Sequence, residues 1–403
     1  MNLYIDFFTT LPQKPIQKYH GGGNYTRTVV SNLIEKVSGK INIIILCPEW
    51  YTINSSTEPV FYKCSCIEWK HVKKIDETIQ YIDNSVLWFP ILYLMNDFKV
   101  INKIKEKHPS LKVCATIHDL RMLDFVWDFK EKYYYSGIQK NTYLLQKIMM
   151  ELFFTRTIKK RIMKKCISKL DQIYTVSNFA MQNIIEVQKE AKVSLYYPPT
   201  LHSTLYTSLN YLQEREVEDE YILFVSGGRI LKNFSSALQA FCLFKKKNPN
   251  RDIKLMVVGI SEKIFFNLCN LPGIDKDIVE KYVIYDEYVD NEELSKLYKN
   301  CRFALYTSKK EGFGLPVIEA AFYGKTSIVS NRTSIPEVLG SAVRYVYPLN
   351  INDICLQFEY FMNDDNLKRY ELRVNQAMKY IYKRMDIETQ FMIEDLIERK
   401  ECK

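Results

Sequence analysis

The sequence predicts an α/β protein made of two doubly wound domains, each a parallel sheet covered by helices on both faces. Three observations carry this expectation: the strand-like runs, the helix-length spacing between them, and a break in the pattern near the middle of the chain. In the first half the apolar, β-branched runs are Leu3–Phe8, Ile41–Cys47, Ser85–Phe89, Val113–Ile117 and Gln172–Val176. In the second they are Tyr221–Val225, Ile253–Gly259, Tyr282–Tyr285, Phe303–Tyr306 and Thr326–Ser330. Runs apolar on both faces and separated by helices imply parallel strands covered on both sides. Each half then reads as a Rossmann-like, doubly wound unit.

The break supplies the boundaries. Pro198 and Pro199 stop regular structure, the following residues are polar, and Glu214–Glu220 is a charged cluster. We therefore place a first domain at residues 1–200, a linker at 201–220 and a second domain at 221–385. Residues 386–403 form a last helix expected to pack back on the first domain. A chain of 403 residues exceeds one ordinary core and fits two.

Composition narrows the class. A hydrophobic content of 47% is that of a globular protein. No window approaches the roughly 18 uninterrupted apolar residues of a membrane span. The start, Met1 to Thr10, has no basic segment and carries Asp6 within its apolar run, so it reads as a first strand and not a signal peptide. The expected location is the cytoplasm. Ten scattered cysteines, with only Cys64 and Cys66 close together, read as reduced and mostly buried thiols.

The net charge of +9 is uneven. Residues 1–200 hold 28 Lys and Arg against 18 Asp and Glu, and the remainder is slightly acidic. An anionic partner for the first half is therefore expected. The segment Arg156, Lys159, Lys160, Arg161, Lys164, Lys165, Lys169 is interleaved with Ile158, Ile162, Met163 and Ile167. On a helix it gives an apolar stripe with basic flanks, which suits the surface of an anionic membrane, or simply a solvated helix. Nucleic acid is disfavoured because no stacking aromatics accompany these charges.

Ligands of open parallel sheets bind beyond the carboxyl ends of the strands, and two facing domains would place a ligand between them. The loop after Phe303–Tyr306 reads Glu311-Gly312-Phe313-Gly314-Leu315-Pro316-Val317-Ile318-Glu319. Its glycines permit a tight turn, Pro316 suits the first helical turn, and the exposed N–H groups before it suit a phosphate. Carboxylates at Glu311 and Glu319 suit the hydroxyls of two rings flanking that phosphate. The alternative is a glycine turn with a capping glutamate. The loop after Tyr221–Val225 offers Gly228, Arg229 and Lys232, cations able to neutralise a diphosphate, or a solvated loop. Gly21, Gly22 and Gly23 open a helix after the first strand and form a second phosphate candidate, or a flexible turn. His118 ends the strand Val113–Ile117 and can face a substrate hydroxyl, or be merely packed beside a capping Asp119. Asp275-Lys276-Asp277 has a metal-diphosphate look, but acids at a helix start are ordinary; no metal site is expected.

Together these stretches resemble the retaining GT-B glycosyltransferases of family 4 (group 1). The Glu311–Glu319 loop is the most specific mark. It is backed by Tyr298-Lys-Asn-Cys-Arg302, by Ser330-Asn-Arg-Thr-Ser-Ile-Pro-Glu337, by Ala115-Thr-Ile-His118 and by Tyr174-Thr-Val-Ser177. The resemblance is dense over about residues 220–350 and patchy before. It implies a GT-B fold, an acceptor-binding first domain and a nucleotide-sugar-binding second domain. By resemblance, Glu319 holds the ribose, Glu311 the donor sugar, and Lys232 with Arg229 the phosphates. His118 contacts the sugar. Gly312, Phe313, Gly314 and Leu315 line the donor, with Gly22, Gly23 and Gly228 nearby.

The implied reaction moves a sugar from a UDP- or GDP-sugar, without a metal, to a hydroxyl of a glycan or lipid-linked acceptor, with retention, as in surface polysaccharide assembly at the inner face of the plasma membrane. The sequence departs from the family in the short spacing of Arg229 from Lys232, in Tyr197-Pro198-Pro199-Thr200, and in the lengthened loop over residues 11–20. Two other readings of the same residues are a GT-B-like epimerase or phosphorylase, and a catalytically silent nucleotide-sugar sensor or scaffold.

Overall fold

A computed structural model describes residues 1–11, 21–37, 41–51, 67–75, 85–92, 94–120, 123, 128–137, 139–143, 147, 153–199 and 220–397. Cys64, Cys66, most of the loop over 11–20, nearly all of the linker at 201–220, the cluster beginning at Glu214 and the last residues of the C-terminal helix lie outside them.

The chain divides into two compact units. One gathers Met1–Leu123, Phe153–Thr204 and Tyr382–Lys403; the other gathers Asp124–Leu152 and Leu205–Ile381. The first half is thus interrupted: the stretch after residue 123 belongs with the second unit, and the chain's last residues belong with the first.

The first unit holds a seven-stranded sheet. Its strands are β1 (Asn2–Asp6), β2 (Asn42–Pro48), β3 (Ile67–Val72), β4 (Val86–Phe89), β5 (Lys112–Thr116), β6 (Gln172–Thr175) and β7 (Val193–Leu195). They lie in the order β3-β2-β1-β4-β5-β6-β7 and every pairing is parallel. The second unit holds β8 (Tyr221–Val225), β9 (Lys254–Val258), β10 (Val283–Asp286), β11 (Phe303–Tyr306), β12 (Ser327–Ser330) and β13 (Arg344–Val346). Their order is β10-β9-β8-β11-β12-β13, again all parallel. Both sheets show the Rossmann arrangement, in which the direction of winding reverses beside the first strand. That reversal lies between β1 and β4 in one unit and between β8 and β11 in the other.

The cores explain why these residues form strands. Tyr4, Ile44, Leu87, Val113 and Ile173 meet helix residues Ile101, Ile104, Met163 and Ile167 in one core. Ile222, Phe224, Leu255, Val257 and Phe303 meet Phe234, Phe241, Phe244 and Phe358 in the other. Three strands were not foreseen: β3, β7 and β13. Each is the outermost strand of its sheet, and most of their residues are only half-buried or exposed.

The helix Phe153–Ile167 carries the basic segment. Met163 and Ile167 are buried in the unit's core, Ile162 is half-buried and Ile158 is exposed. Most of the apolar stripe therefore faces the protein, while Lys160, Arg161, Lys164, Lys165 and Lys169 face outward. Among the described residues no helix is long and apolar enough to cross a membrane.

Candidate functional site

In the second unit the loops after β8 and β11 emerge side by side at the winding reversal. The first begins with Ser226 at φ 64° and closes as a short 3-10 turn, Ile230–Lys232. A Cβ on Gly228 would stand 2.9 Å from the Gly259 carbonyl oxygen, and one on Gly227 would stand 2.5 Å from Val257 Cγ2. These glycines are thus required by the approach of β9 and of the turn after it. Asn233 follows in the left-handed region at φ 62° and is fully buried. Its Nδ2 donates to the Thr307 carbonyl at 3.0 Å and to the Pro348 carbonyl at 2.6 Å. Thr307 Oγ1 donates back to the Asn233 carbonyl at 3.1 Å, and the Lys309 N–H donates to the Leu231 carbonyl at 2.8 Å. The two loops are stitched together by groups that burial forces to pair.

The stitching sets the charged groups. Lys232 Nζ lies 2.5 Å from Glu311 Oε1, and both side chains are largely buried. The third loop, after β12, holds the Glu311 backbone from both sides. The Glu311 N–H donates to Thr333 Oγ1 at 3.0 Å, and Ser334 Oγ donates to the Glu311 carbonyl at 3.1 Å. Gly314 then turns the chain at φ 104° into the helix Leu315–Phe322, with Pro316 in its first turn and Phe313 buried beneath.

Glu319 stands on that helix. Tyr298 donates its hydroxyl to Glu319 Oε2 at 2.9 Å, and the Tyr298 and Tyr306 hydroxyls lie 2.9 Å apart. Burial pushes the Glu319 carboxyl up, opposed by the Tyr298 hydroxyl and by the charge of Lys232. One cation therefore acts on two carboxylates, one before the helix Leu315–Phe322 and one on it. Arg229 is exposed and its side chain makes no cap bond. Asp275 accepts from the Ile278 N–H and pairs with Lys246 at 3.1 Å, the work of a helix cap.

Of the expected site residues, Lys232, Glu311, Glu319, Gly228 and Gly312 to Leu315 thus share the strand-end loops of the second unit. His118, Gly22 and Gly23 belong to the first. His118 Nε2 lies 3.1 Å from the Pro90 carbonyl, which makes that nitrogen the donor. Its ring meets the Tyr25 ring edge-on at 4.7 Å. Gly22 and Gly23 lie in the first turn of the helix Gly21–Val37, where Thr26 Oγ1 donates to the Gly22 carbonyl at 3.0 Å. Tyr25 therefore ties His118 to the glycine turn.

Tyr298, Tyr306, Asn233, Thr333 and Ser334 were not singled out as site residues from sequence. Tyr306 reads as the end of an apolar strand, and Tyr298 as part of the stretch Tyr298-Lys-Asn-Cys-Arg302 that backs the resemblance, with no role of its own. Thr333 and Ser334 stand more than twenty residues from Glu311, whose backbone they hold.

Residues 212–379 match the sequence model of the family described as Glycosyl transferases group 1. The serotype-specific mannosyltransferase WbdA of Escherichia coli is 24% identical over 209 residues, which cover 50% of this chain and 26% of that protein. The O-antigen chain mannosyltransferase B of E. coli is 30% identical over 148 residues, 36% of this chain and 38% of the relative. The chain thus spans well under half the length of these relatives. Among solved structures, an α,α-trehalose-phosphate synthase (UDP-forming) from Burkholderia xenovorans aligns with a TM-score of 0.67 at 9% identity. That alignment covers 98% of this chain and 100% of the other. The fold is that of the GT-B glycosyltransferases, two Rossmann-like units.

Proposed function

We propose that the protein is a retaining glycosyltransferase that moves a sugar from a nucleotide-diphosphate donor to a hydroxyl of a glycan or lipid-linked acceptor in surface polysaccharide assembly. The mannosyltransferase relatives make a nucleotide-activated mannose the first donor to test. The observation that carries the reading is Lys232 held against Glu311 and acting on Glu319, at the ends of β8 and β11. In this reading Glu319 accepts from the ribose hydroxyls and Glu311 from the sugar. Lys232 turns toward the diphosphate as the donor enters, helped by Arg229 and the helix start at Leu315.

A leaving phosphate oxygen takes the acceptor proton, and attack occurs on the face that the nucleotide leaves. Charge builds on that phosphate in the transition state, and Lys232 stabilises it there. His118, Gly22 and Gly23 are the first unit's proposed contribution to the donor. No bound metal is needed for this sequence of events, because the cations and the helix start meet the diphosphate charge.

Glu319→Ala removes the proposed ribose acceptor. Charged hydrogen bonds of this kind are worth ~1.5–3 kcal/mol, so nucleotide affinity should fall roughly 10- to 100-fold. Thermal-shift titration with UDP, GDP and their sugar conjugates measures it. NMR of the product linkage decides the stereochemistry, and an inverted anomeric centre would overturn the mechanism.

A further inference from the structure

The segment Asp128–Tyr135 comes from the first half of the chain yet belongs to the second unit. Asp128 caps the short helix Phe129–Tyr134 by accepting from the Lys130 N–H at 3.1 Å. The helix then grips both candidate donor loops. Lys309 stands two residues before Glu311. Its Nζ lies 2.7 Å from Asp128 Oδ2 and 2.6 Å from Glu131 Oε1, with all three side chains almost wholly buried. The other Glu131 oxygen accepts from Lys147 at 2.5 Å and from the Tyr143 hydroxyl. Burial alone would raise the Glu131 carboxyl, but Lys309 and the hydrogen bonds of Lys147, Lys309 and Tyr143 outweigh it and hold it below the usual range.

At the start of the helix Phe234–Lys247, which follows the other loop, Tyr134 accepts from the Ser235 N–H at 3.1 Å, and Lys130 Nζ donates to Ser236 Oγ at 2.5 Å. Ser236 in turn donates to Asn233 Oδ1 at 2.9 Å, beside Lys232. One eight-residue segment therefore fastens the residue next to Lys232 and the residue two before Glu311.

We propose that Asp128–Tyr135 is a strap that positions the Lys232 and Glu311 loops for the sugar end of the donor, with Lys309 as the positioning residue through which it acts. This rests on the reading of Lys232, Glu311 and Glu319 as the donor site. A buried lysine between two carboxylates is a costly way to gain stability, since apolar or neutral replacements often do as well. Its value here is geometric: it fixes where the Glu311 loop starts. Lys309 touches no donor atom in this arrangement and acts only through Glu311.

The test uses the full chain and two probes per base: GDP with GDP-mannose, and UDP with UDP-glucose, each titrated calorimetrically. Lys309→Met alone would strand two buried carboxylates, so the decisive variant is the neutral triple Lys309→Met, Asp128→Asn, Glu131→Gln. It should keep its nucleoside-diphosphate affinity within about twofold. It should lose about tenfold or more for the sugar nucleotide, the scale expected of a small misplacement. Lys309→Arg should restore most of that loss. Equal binding of the triple variant and the parent, with Glu311→Ala impaired, would overturn the strap and leave the donor site standing. An unimpaired Glu319→Ala would overturn the donor site and the strap with it. If the triple variant has no folded transition, Lys130→Met decides instead: an unchanged ratio of the two affinities would overturn the proposal.

Discussion

Asp6 shows how a single residue sets a pH response. It ends β1 and is fully buried, accepting from the Phe8 N–H at 2.8 Å and from Thr9 Oγ1 at 2.8 Å. Burial is the main cause that raises its carboxyl from 3.8 to about 7, and Asp97 adds to it. The folded state thus holds a proton that the unfolded chain has already released, so stability falls as pH rises from about 4 to about 7 and is level above that. Asp6→Asn cannot ionise. Its amide can donate to Thr9 Oγ1 while Thr9 donates to the Ile91 carbonyl, 3.1 Å away. The variant should match the parent near pH 4 and exceed it at pH 8 by on the order of a few kcal/mol. Melting curves at the two pH values check this, and a difference that does not change with pH would refute it. The same scale separates what is legible in sequence from what is not. Glu311 and Glu319 announce themselves because a glycine turn and a proline give them a strand-loop-helix frame. Tyr298 and Tyr306 do not, since a buried tyrosine looks like any other core aromatic until its hydroxyl finds Glu319.

At the scale of elements, the helix Leu315–Phe322 owes its start to one glycine. Gly314 sits at φ 104°, a conformation that residues with a Cβ rarely adopt. Space is no obstacle, because the nearest atom to a Cβ there would be Ile335 Cγ1 at 3.6 Å. Gly314→Ala should therefore cost about 1–3 kcal/mol through backbone strain alone. Gly21→Ala is the control: Gly21 opens a helix, and a Cβ there would meet nothing within 4 Å. That change should be neutral or slightly stabilising. Urea midpoints of the two variants settle it, and equal midpoints would refute the strain argument. Elements were legible where both faces are buried. Nine of the strands showed as apolar runs because a covered parallel strand has no polar phase; β10, outermost and exposed at alternate residues, showed only because Val283, Ile284 and Tyr285 are an apolar run all the same. β3 reads Ile-Glu-Trp-Lys-His-Val because an outermost strand has one neighbour and needs no apolar run. The strap was illegible for another reason: nothing in Asp128 or Glu131 states that its partner is Lys309, nearly two hundred residues on.

At the scale of the whole molecule, the chain's order and its spatial grouping differ twice. The strap takes residues of the first half to the second unit, and the last helix brings the end of the chain to the first. That helix, Asp364–Ile397, runs from one unit into the other. Its final part buries Met385, Met392, Ile393 and Leu396. Polar bonds fix its register: the Tyr197 N–H donates to Glu388 Oε2 at 2.6 Å, Lys36 pairs with Glu394 at 3.0 Å, and Arg384 lies 3.8 Å over the Tyr197 ring. Each of the four apolar side chains is worth about 1.5–3 kcal/mol, so removing them takes away on the order of 6–12 kcal/mol. A folded domain is stable by roughly 5–15 kcal/mol in all. A chain ending at Ile381 should therefore lose most or all of the folding free energy of the first unit. The core of the second, built on β8 to β13, should remain, because none of those four residues belongs to it. Calorimetry should show the first unit's transition lowered or lost beside a retained second one. Limited proteolysis should leave a resistant product that keeps the strap Asp128–Tyr135 together with β8 to β13. Unchanged amide protection in β1, β2 and β4 of the shortened chain would show instead that the helix adds length to the first unit without holding it together.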